Sequence, residues 1–336
     1  MSLILAFESS CDDTSVAILD TDYKVLANLI SSQPEHLDFG GVLPELASRL
    51  HMKNIMHLSD LALSQAGVTL NQIDAIAVSI NPGLIGSLIV GLSFAKSLAW
   101  GLGKPLITVN HLLSHVFANY IDHPRLETPF LALVVSGGHT ELVHFKTDRD
   151  FEVVGKTLDD AAGETFDKAA KLMGLGFPGG PIIDKLAKGG DPKFIKLPYP
   201  LPQKDNFNFS YSGLKTAIRT YIKSQEPDLL IKHQTDIAAS IQEAIVNPLI
   251  NKTVRKAQEL QLDRILIAGG VAANSALRSG LLKKAGACKI QVYYPSLKLC
   301  MDNAAMVAAA AIPKYKAGLF AKLDVNANSI KGTRLL

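Results

Sequence analysis

Cysteine is scarce in this chain: three in 336 residues, Cys11, Cys288 and Cys300, with no CxxC pair among them. So few thiols, and an odd number, exclude a disulfide framework and fit a reducing compartment. Charge is also modest, at 19% of residues against 48% hydrophobic, which excludes a disordered chain and leaves ample material for a packed core. The opening residues MSLILAFESS lack a basic stretch, so no secretory leader is expected and the starting position is a cytoplasmic protein. What is present is length for two domains at about 100–200 residues each.

The longest stretch without a formal charge runs from residue 75 to 95, AIAVSINPGLIGSLIVGLSFA, near the length of a membrane span. Asn81-Pro82-Gly83 breaks it with a turn signal. The run therefore reads as a buried strand over 75–80 and a helix over about 84–100, and no membrane is expected.

Net charge is +3, from 34 Lys/Arg and 31 Asp/Glu, but it is unevenly spread. Residues 1–74 carry ten acidic and three basic side chains; residues 184–223 carry eight basic against three acidic, and residues 252–289 eight against two. Two basic blocks can mark a polyanion-binding side, or are ordinary solvated helix faces.

The chain repeats itself. LAFESSCDDTSVAIL (5–19) aligns without gaps on LALVVSGGHTELVHF (131–145), with Ser10 over Ser136 and Thr14 over Thr140. Each is a buried strand, a small-residue turn and a second strand. Two related halves follow, 1–128 and 129–336. Apolar runs at 75–80, 106–109 and 264–268 read as strands, and 45–66, 84–100, 158–173, 236–261 and 302–311 as helices. The fold class is α/β with mixed sheets flanked by helices. Between 174 and 210 the chain is rich in Gly and Pro, an insertion with a short helix near 181–188.

Three glycine turns can bring backbone N–H groups close to an anion: Ser136-Gly137-Gly138, Gly179-Gly180, and Gly269-Gly270 before Asn274. None is a GxxxxGK[ST] phosphate loop, and each alone is as well read as a tight turn. His111 and His115, four apart, share one face of a helix and can take one metal ion, or are two ordinary histidines. No Glu follows His111, which excludes the HExxH metalloprotease pattern. Asp302 opens an apolar helix, as its N-cap, as a third ligand, or both. Asp12 and Asp13, adjacent in the first turn, are a candidate base or an exposed acidic tip. Asp167, within a helical pattern, is a surface charge or a ligand-binding carboxylate.

The stretches ESSCDDTSVA, NPGLIGSLIVG, VNHLLSH, VVSGGHTEL, DDAAGETFDKAAKLMGLGFPGGP, FSYSGLKTA, DIAASIQ, IAGGVAANSALR and LCMDNAAMVA follow in this order. In that order they resemble the TsaD family, the tRNA N6-adenosine threonylcarbamoyltransferases. The resemblance implies an actin-like ATPase (ASKHA) fold of two halves. It implies transfer of the threonylcarbamoyl group from threonylcarbamoyl-AMP to N6 of adenosine 37 in tRNAs reading codons that begin with A. His111, His115 and Asp302 match the metal ligands, with Fe(2+) or Zn(2+) as the ion. Val134, Val135, Ser136, Gly137 and Gly138, with Asp167, Gly180 and Asn274, match the nucleotide contacts, and Asp184 a carboxylate near the ribose. Asp12 and Asp13 match an acidic pair in which the family usually has Glu second. Implied partners are tRNA, the paralogue TsaB and the ATPase TsaE. One departure stands out: the family usually reads H-x-E-G-H, and here Leu113-Ser114 replace Glu-Gly. The rival readings are a phosphotransferase of the same fold and a non-catalytic paralogous subunit.

Overall fold

The computed structural model describes residues 2–39 and 41–329. Strands β1 (Leu3–Glu8) and β2 (Asp13–Asp20) form the expected hairpin, Ile4 opposite Leu19 and Glu8 opposite Ser15. A third strand, β3 (Val25–Ser32), pairs antiparallel with β2. Helix α1 (Pro44–Ala66) starts on a proline, whose missing N–H has no partner to lose in a first turn, and stops at Gly67 with φ 66°. Strand β4 (Ala75–Asn81) is buried along its whole length and lies parallel to β1.

After the Asn81-Pro82-Gly83 turn come helix α2 (Ile85–Leu102) and strand β5 (Leu106–Asn110), parallel to β4. The uncharged run is thus a strand and a crossover helix. By length and composition α2 is, among the described residues, the one helix able to cross a membrane. It connects two neighbouring parallel strands and packs Leu88, Leu92, Ala95 and Ala99 inward against β4 and α1, while Ile85, Ile89 and Trp100 are exposed. Helix α3 (His111–Asp122) follows β5 directly.

The second hairpin is β6 (Phe130–Val135) and β7 (Thr140–Phe145), extended antiparallel by β8 (Phe151–Lys156). Then come α4 (Ala162–Leu172), α5 (Gly179–Leu186), α6 (Ser212–Ser224), α7 (Pro227–Lys232) and α8 (Gln234–Glu259). Strand β9 (Arg264–Ala268) pairs parallel with β6; α9 (Ser275–Ala287) leads to β10 (Gln291–Tyr293), parallel to β9. Helix α4 begins four residues later than its sequence pattern suggests. Asp159 is drawn away to accept hydrogen bonds from the Tyr211 N–H (2.7 Å) and the Ser210 and Ser212 hydroxyls (2.5 and 2.8 Å) at the start of α6.

The sheets run β3-β2-β1-β4-β5 and β8-β7-β6-β9-β10. Each is an antiparallel meander whose first strand carries two parallel strands on its other edge, so the faint sequence repeat is a repeat of topology.

Two short helices close the chain, α10 (Leu297–Cys300) and α11 (Ala304–Lys316). The compact units are Met1–Leu126 with Pro295–Leu336, and Glu127–Tyr294. The chain passes from the first unit to the second at Leu126–Glu127, and from Pro295 onward it packs with the first unit again. The reason is α11, whose alanine-rich length is buried against β1, β2 and α3. Its N-terminal N–H groups are taken up by the first sheet: Ala304 donates to Ser15 Oγ (2.8 Å) and Ala305 to Asn28 Oδ1 (3.2 Å). That return brings Asp302 to α3.

Candidate functional site

In the first unit Asn110 caps α3, its Oδ1 accepting the Leu113 N–H at 3.1 Å, which fixes where the helix starts and which way His111 and His115 point. The two rings meet edge to face, 4.9 Å between centroids. Asp302 Oδ1 lies 3.1 Å from His115 Nε2 and 3.5 Å from His111 Nε2. Asp302 is not the helix cap. Asn303 takes that role, accepting the Met306 N–H at 3.0 Å, and so the Asp302 carboxylate is left to face the imidazoles.

The three donor atoms lie within 4.8 Å of one another. Ligand atoms about 2.0–2.1 Å from a common ion stand roughly 3–3.5 Å apart, close to the two distances found. His115 is 1% exposed; its Nδ1 has no hydrogen-bond partner and its Nε2 faces the Asp302 carboxylate. A buried imidazole left so costs about 1–3 kcal/mol. A cation on Nε2 removes much of that cost, and a donor set of two imidazoles and one carboxylate suits zinc or iron. The residues fit a metal ion.

Leu113 and Ser114, where the family's pattern has Glu-Gly, are both buried, and Ser114 Oγ donates to the Asn110 carbonyl at 2.9 Å. They pack into the unit without disturbing the spacing of the histidines.

One carboxylate at this site was missed by the sequence reading. Glu8, at the end of β1, lies with Oε2 3.0 Å from His111 Nδ1. Burial pushes its carboxyl up, but the adjacent His111 charge outweighs that and holds it below the ordinary carboxylate value. Burial lowers His111, and Glu8 and Asp302 together more than reverse it, leaving the imidazole raised. The available signal was a lone charge ending an otherwise apolar strand, LILAFE.

Asp12 and Asp13 sit at the hairpin tip. Asp13 is half-buried; burial, with smaller contributions from Asp302, Asp12 and Glu8, pushes it up to about 6 against a hydrogen bond from Ser32. The tip is held from two sides. His51 of α1, fully buried, bonds Thr14 Oγ1 (2.7 Å) and donates to the Cys11 carbonyl (3.0 Å). The Leu84 N–H donates to the Ser10 carbonyl (2.8 Å). A Cβ on Gly83 would stand 2.5 Å from that carbonyl oxygen, so only glycine allows this approach. Burial and the neighbouring Asp12 push the Cys11 thiol far up, which removes it as a nucleophile.

In the second unit two of the three glycine turns, at Gly137-Gly138 and Gly269-Gly270, follow the carboxyl ends of β6 and β9, neighbours in the sheet and a common place for ligands in α/β folds, whereas Gly179-Gly180 open helix α5 against α4. The Gly163 and Glu164 N–H groups at the start of α4 donate to the Ser136 and Gly137 carbonyls (3.3 and 3.1 Å). Gly269, with φ 90°, lies against the Val135 carbonyl, 2.4 Å from where its Cβ would be. Val134 and Val135 are buried strand residues that aim the turn. Gly137 and Gly138 are exposed, with open space where a Cβ would stand.

The expected polar contacts are all engaged within the unit. Asp167 accepts the Gly179 N–H (2.7 Å) and that of Gly180, capping α5. Asp184 accepts the Ser275 N–H (3.1 Å) and hydroxyl (2.7 Å), tying α5 to the start of α9. Asn274 caps α9 by accepting from Leu277 N–H (2.9 Å) and donates to Gln242 Oε1 (2.9 Å).

The basic blocks divide. Lys193, Lys196, Lys204, Lys283 and Lys284 are exposed. Lys252, by contrast, is buried and donates to the Asn208 carbonyl (2.5 Å), Arg255 lies over Phe207, and Arg278 donates to the Ala272 carbonyl (2.5 Å). Much of the charge in 252–289 therefore holds the unit together.

A family model described as TsaD, tRNA N6-adenosine threonylcarbamoyltransferase, matches residues 24–309. Curated relatives of that name include one from Thermosipho africanus, 50% identical over 94% of this chain and 96% of its own. Another, from Clostridium perfringens, is 49% identical over 97% and 96%. Among solved structures, HypF from T. kodakarensis superposes with a TM-score of 0.63 at 14% identity, covering 95% of this chain and 48% of that one. Component A of (R)-2-hydroxyglutaryl-CoA dehydratase from Acidaminococcus fermentans gives 0.55 at 15%, covering 94% and 99%. These likenesses show the fold, the actin-like ATPase one. The matched span and the identities together place this chain in the TsaD family, the tRNA N6-adenosine threonylcarbamoyltransferases.

Proposed function

We propose that His111, His115 and Asp302 hold one divalent ion, Fe(2+) in preference to Zn(2+), and that the glycine turns of the second unit hold the adenylate of threonylcarbamoyl-AMP. The observation that carries the reading is the buried His115 ring, unpartnered except for Asp302. Held by these three side chains, a divalent ion would supply Lewis-acid stabilisation of charge on a phosphate or carbonyl oxygen. The acceptor, adenine N6 of position 37 in tRNA, is a weak nucleophile because its lone pair is delocalised into the ring. Asp13 takes the N6 proton as N6 bonds to the carbamoyl carbon, and the bond from that carbon to the phosphate oxygen breaks to release AMP. No covalent enzyme intermediate is needed, in keeping with an inert Cys11.

The backbone N–H groups around Gly137 and Gly138 bind phosphate. Asp167, Asp184 and Asn274 act chiefly by fixing the helix starts that shape the pocket, and Gly180 by its place in one of them. Gly138→Val tests this, because a Cβ at this position meets nothing within 4 Å in the protein and the branched side chain stands where the ligand would approach. Nucleotide affinity by calorimetry should drop tenfold or more, about 1.4 kcal/mol. Undiminished affinity would make the turn only a turn.

We propose further that the enzyme works in the cytoplasm with the paralogue TsaB and the ATPase TsaE, as the family resemblance implies. tRNA is met by the exposed loop lysines Lys193, Lys196 and Lys204, more than by the basic side chains already committed inside the unit. Replacing the three by alanine in the assembled complex should weaken tRNA binding. It should also flatten the plot of log affinity against log salt by about 2, since each phosphate contact releases bound counterions. An unchanged slope would exclude this surface.

A further inference from the structure

Glu8 is fully buried at the end of a central strand, flanked by β2 and β4. Its counterpart in the aligned second hairpin is Val134, also fully buried, at the end of β6. The fold therefore accepts an apolar side chain at this point of the sheet, and the carboxylate in the first unit has another use. Its contacts show which. Oε1 accepts the Ser10 backbone N–H at 2.6 Å, which locks the carboxylate, and Oε2 lies 3.0 Å from His111 Nδ1. Ser10 Oγ lies 3.1 Å from the same nitrogen. An ionised carboxylate only accepts, so the hydrogen of a neutral His111 sits on Nδ1 and the lone pair on Nε2, which faces Asp302.

We propose that Glu8 is a positioning residue for the metal centre: it sets the tautomer and ring orientation of His111 and strengthens Nε2 as a donor. A carboxylate behind a ligating imidazole raises the ligand's basicity, and losing one typically weakens metal affinity about 10–100-fold. Glu8 and Asp302 also carry two negative charges, which balance that of a divalent ion. His115 has no such backing on its Nδ1. The two histidines are therefore unequal, and His111 is the oriented one.

The inference rests on the metal reading above, and its test keeps the two apart. Cobalt(II) is titrated into metal-free protein against a chelator, for wild type, Glu8→Gln, Glu8→Val and Ser10→Ala, with the visible spectrum recorded. Glu8→Val should bind cobalt 10–100-fold more weakly and with altered bands. Glu8→Gln should recover much of both, because its amide oxygen still accepts the Nδ1 hydrogen. Ser10→Ala, which keeps the carboxylate and its backbone bond, should have a smaller effect than Glu8→Val. If Glu8→Val does not fold, the comparison of Glu8→Gln with Ser10→Ala decides, the charge loss weakening cobalt more than the hydroxyl loss. Wild-type affinity and spectrum in the Glu8 variants, even with lowered thermal stability, would overturn the inference. Failure of the wild-type chain itself to bind cobalt would instead overturn the metal reading.

Discussion

Replacing His111 and His115 together by alanine is expected to take the protein from one equivalent of bound iron or zinc per chain to none, and to abolish transfer. The chain should still fold. Both residues are on α3, whose helix start depends on Asn110 and whose packing depends on Leu112, Val116 and Phe117, all retained. The double variant also removes two imidazoles that have to be satisfied when no ion is bound. Metal should therefore raise the melting temperature of the wild type and leave that of the variant unmoved. At a hundredfold excess over the dissociation constant, bound metal adds about 2.7 kcal/mol. Elemental analysis showing a full equivalent in the double variant would contradict the ligand assignment. A melting temperature that still responds to metal would contradict it independently.

Asp13→Asn is expected to lower the turnover number by about 10²–10⁴, the usual contribution of a positioned base, while metal content and nucleotide affinity stay at wild-type values. The same assignment fixes a pH dependence. Burial raises the Asp13 carboxyl to about 6, so it is ionised at neutral pH and becomes protonated as the pH falls through that value. Turnover should then fall about tenfold for each further pH unit. An ion on Asp302 cancels part of the negative field that contributes to the shift, so in the loaded enzyme the acid limb lies at or below pH 6. That limb should be missing from the residual activity of Asp13→Asn. A wild-type rate in this variant, with a large loss in Asp12→Asn, would transfer the role to its neighbour.

Much of this was legible in the amino-acid order, and what was not has physical reasons. Spacing alone puts His111 and His115 on one helix face, because i and i+4 coincide on any α-helix. Asp302 was ambiguous for a good reason. A carboxylate just before an apolar helix is the ordinary form of an N-cap, and only the Asn303 bond to Met306 shows that the cap lies one residue later. Glu8 carried only the weak signal of a lone charge ending an apolar strand, because the end of a strand is usually wet; its burial depends on β4 coming in beside β1 from far along the chain. Strand β3 escaped for the opposite reason, since as an edge strand it is only partly buried and its pattern is irregular. Helix α6 carried a clear signal, Leu214, Ile218 and Ile222 at four-residue spacing, hidden by the Gly/Pro-rich stretch before it.

The return of the chain to the first unit at Pro295 could not be read from a repeat, because the repeat marks where each half begins and is silent about where it ends. In the second unit, Asp184 with Ser275 and Asn274 with Gln242 are long-range pairs, which no local pattern announces.

The central claim is that this chain makes the threonylcarbamoyl modification of adenosine 37 through its histidine–aspartate centre. Nucleoside analysis of tRNA from cells depleted of the protein tests it most directly, with rescue by the wild-type chain and by the His111→Ala, His115→Ala double variant. N6-threonylcarbamoyladenosine should disappear on depletion, return with the wild type, and stay absent with the double variant expressed at the same level. Undiminished modification after depletion, or full rescue by the variant, would contradict the account.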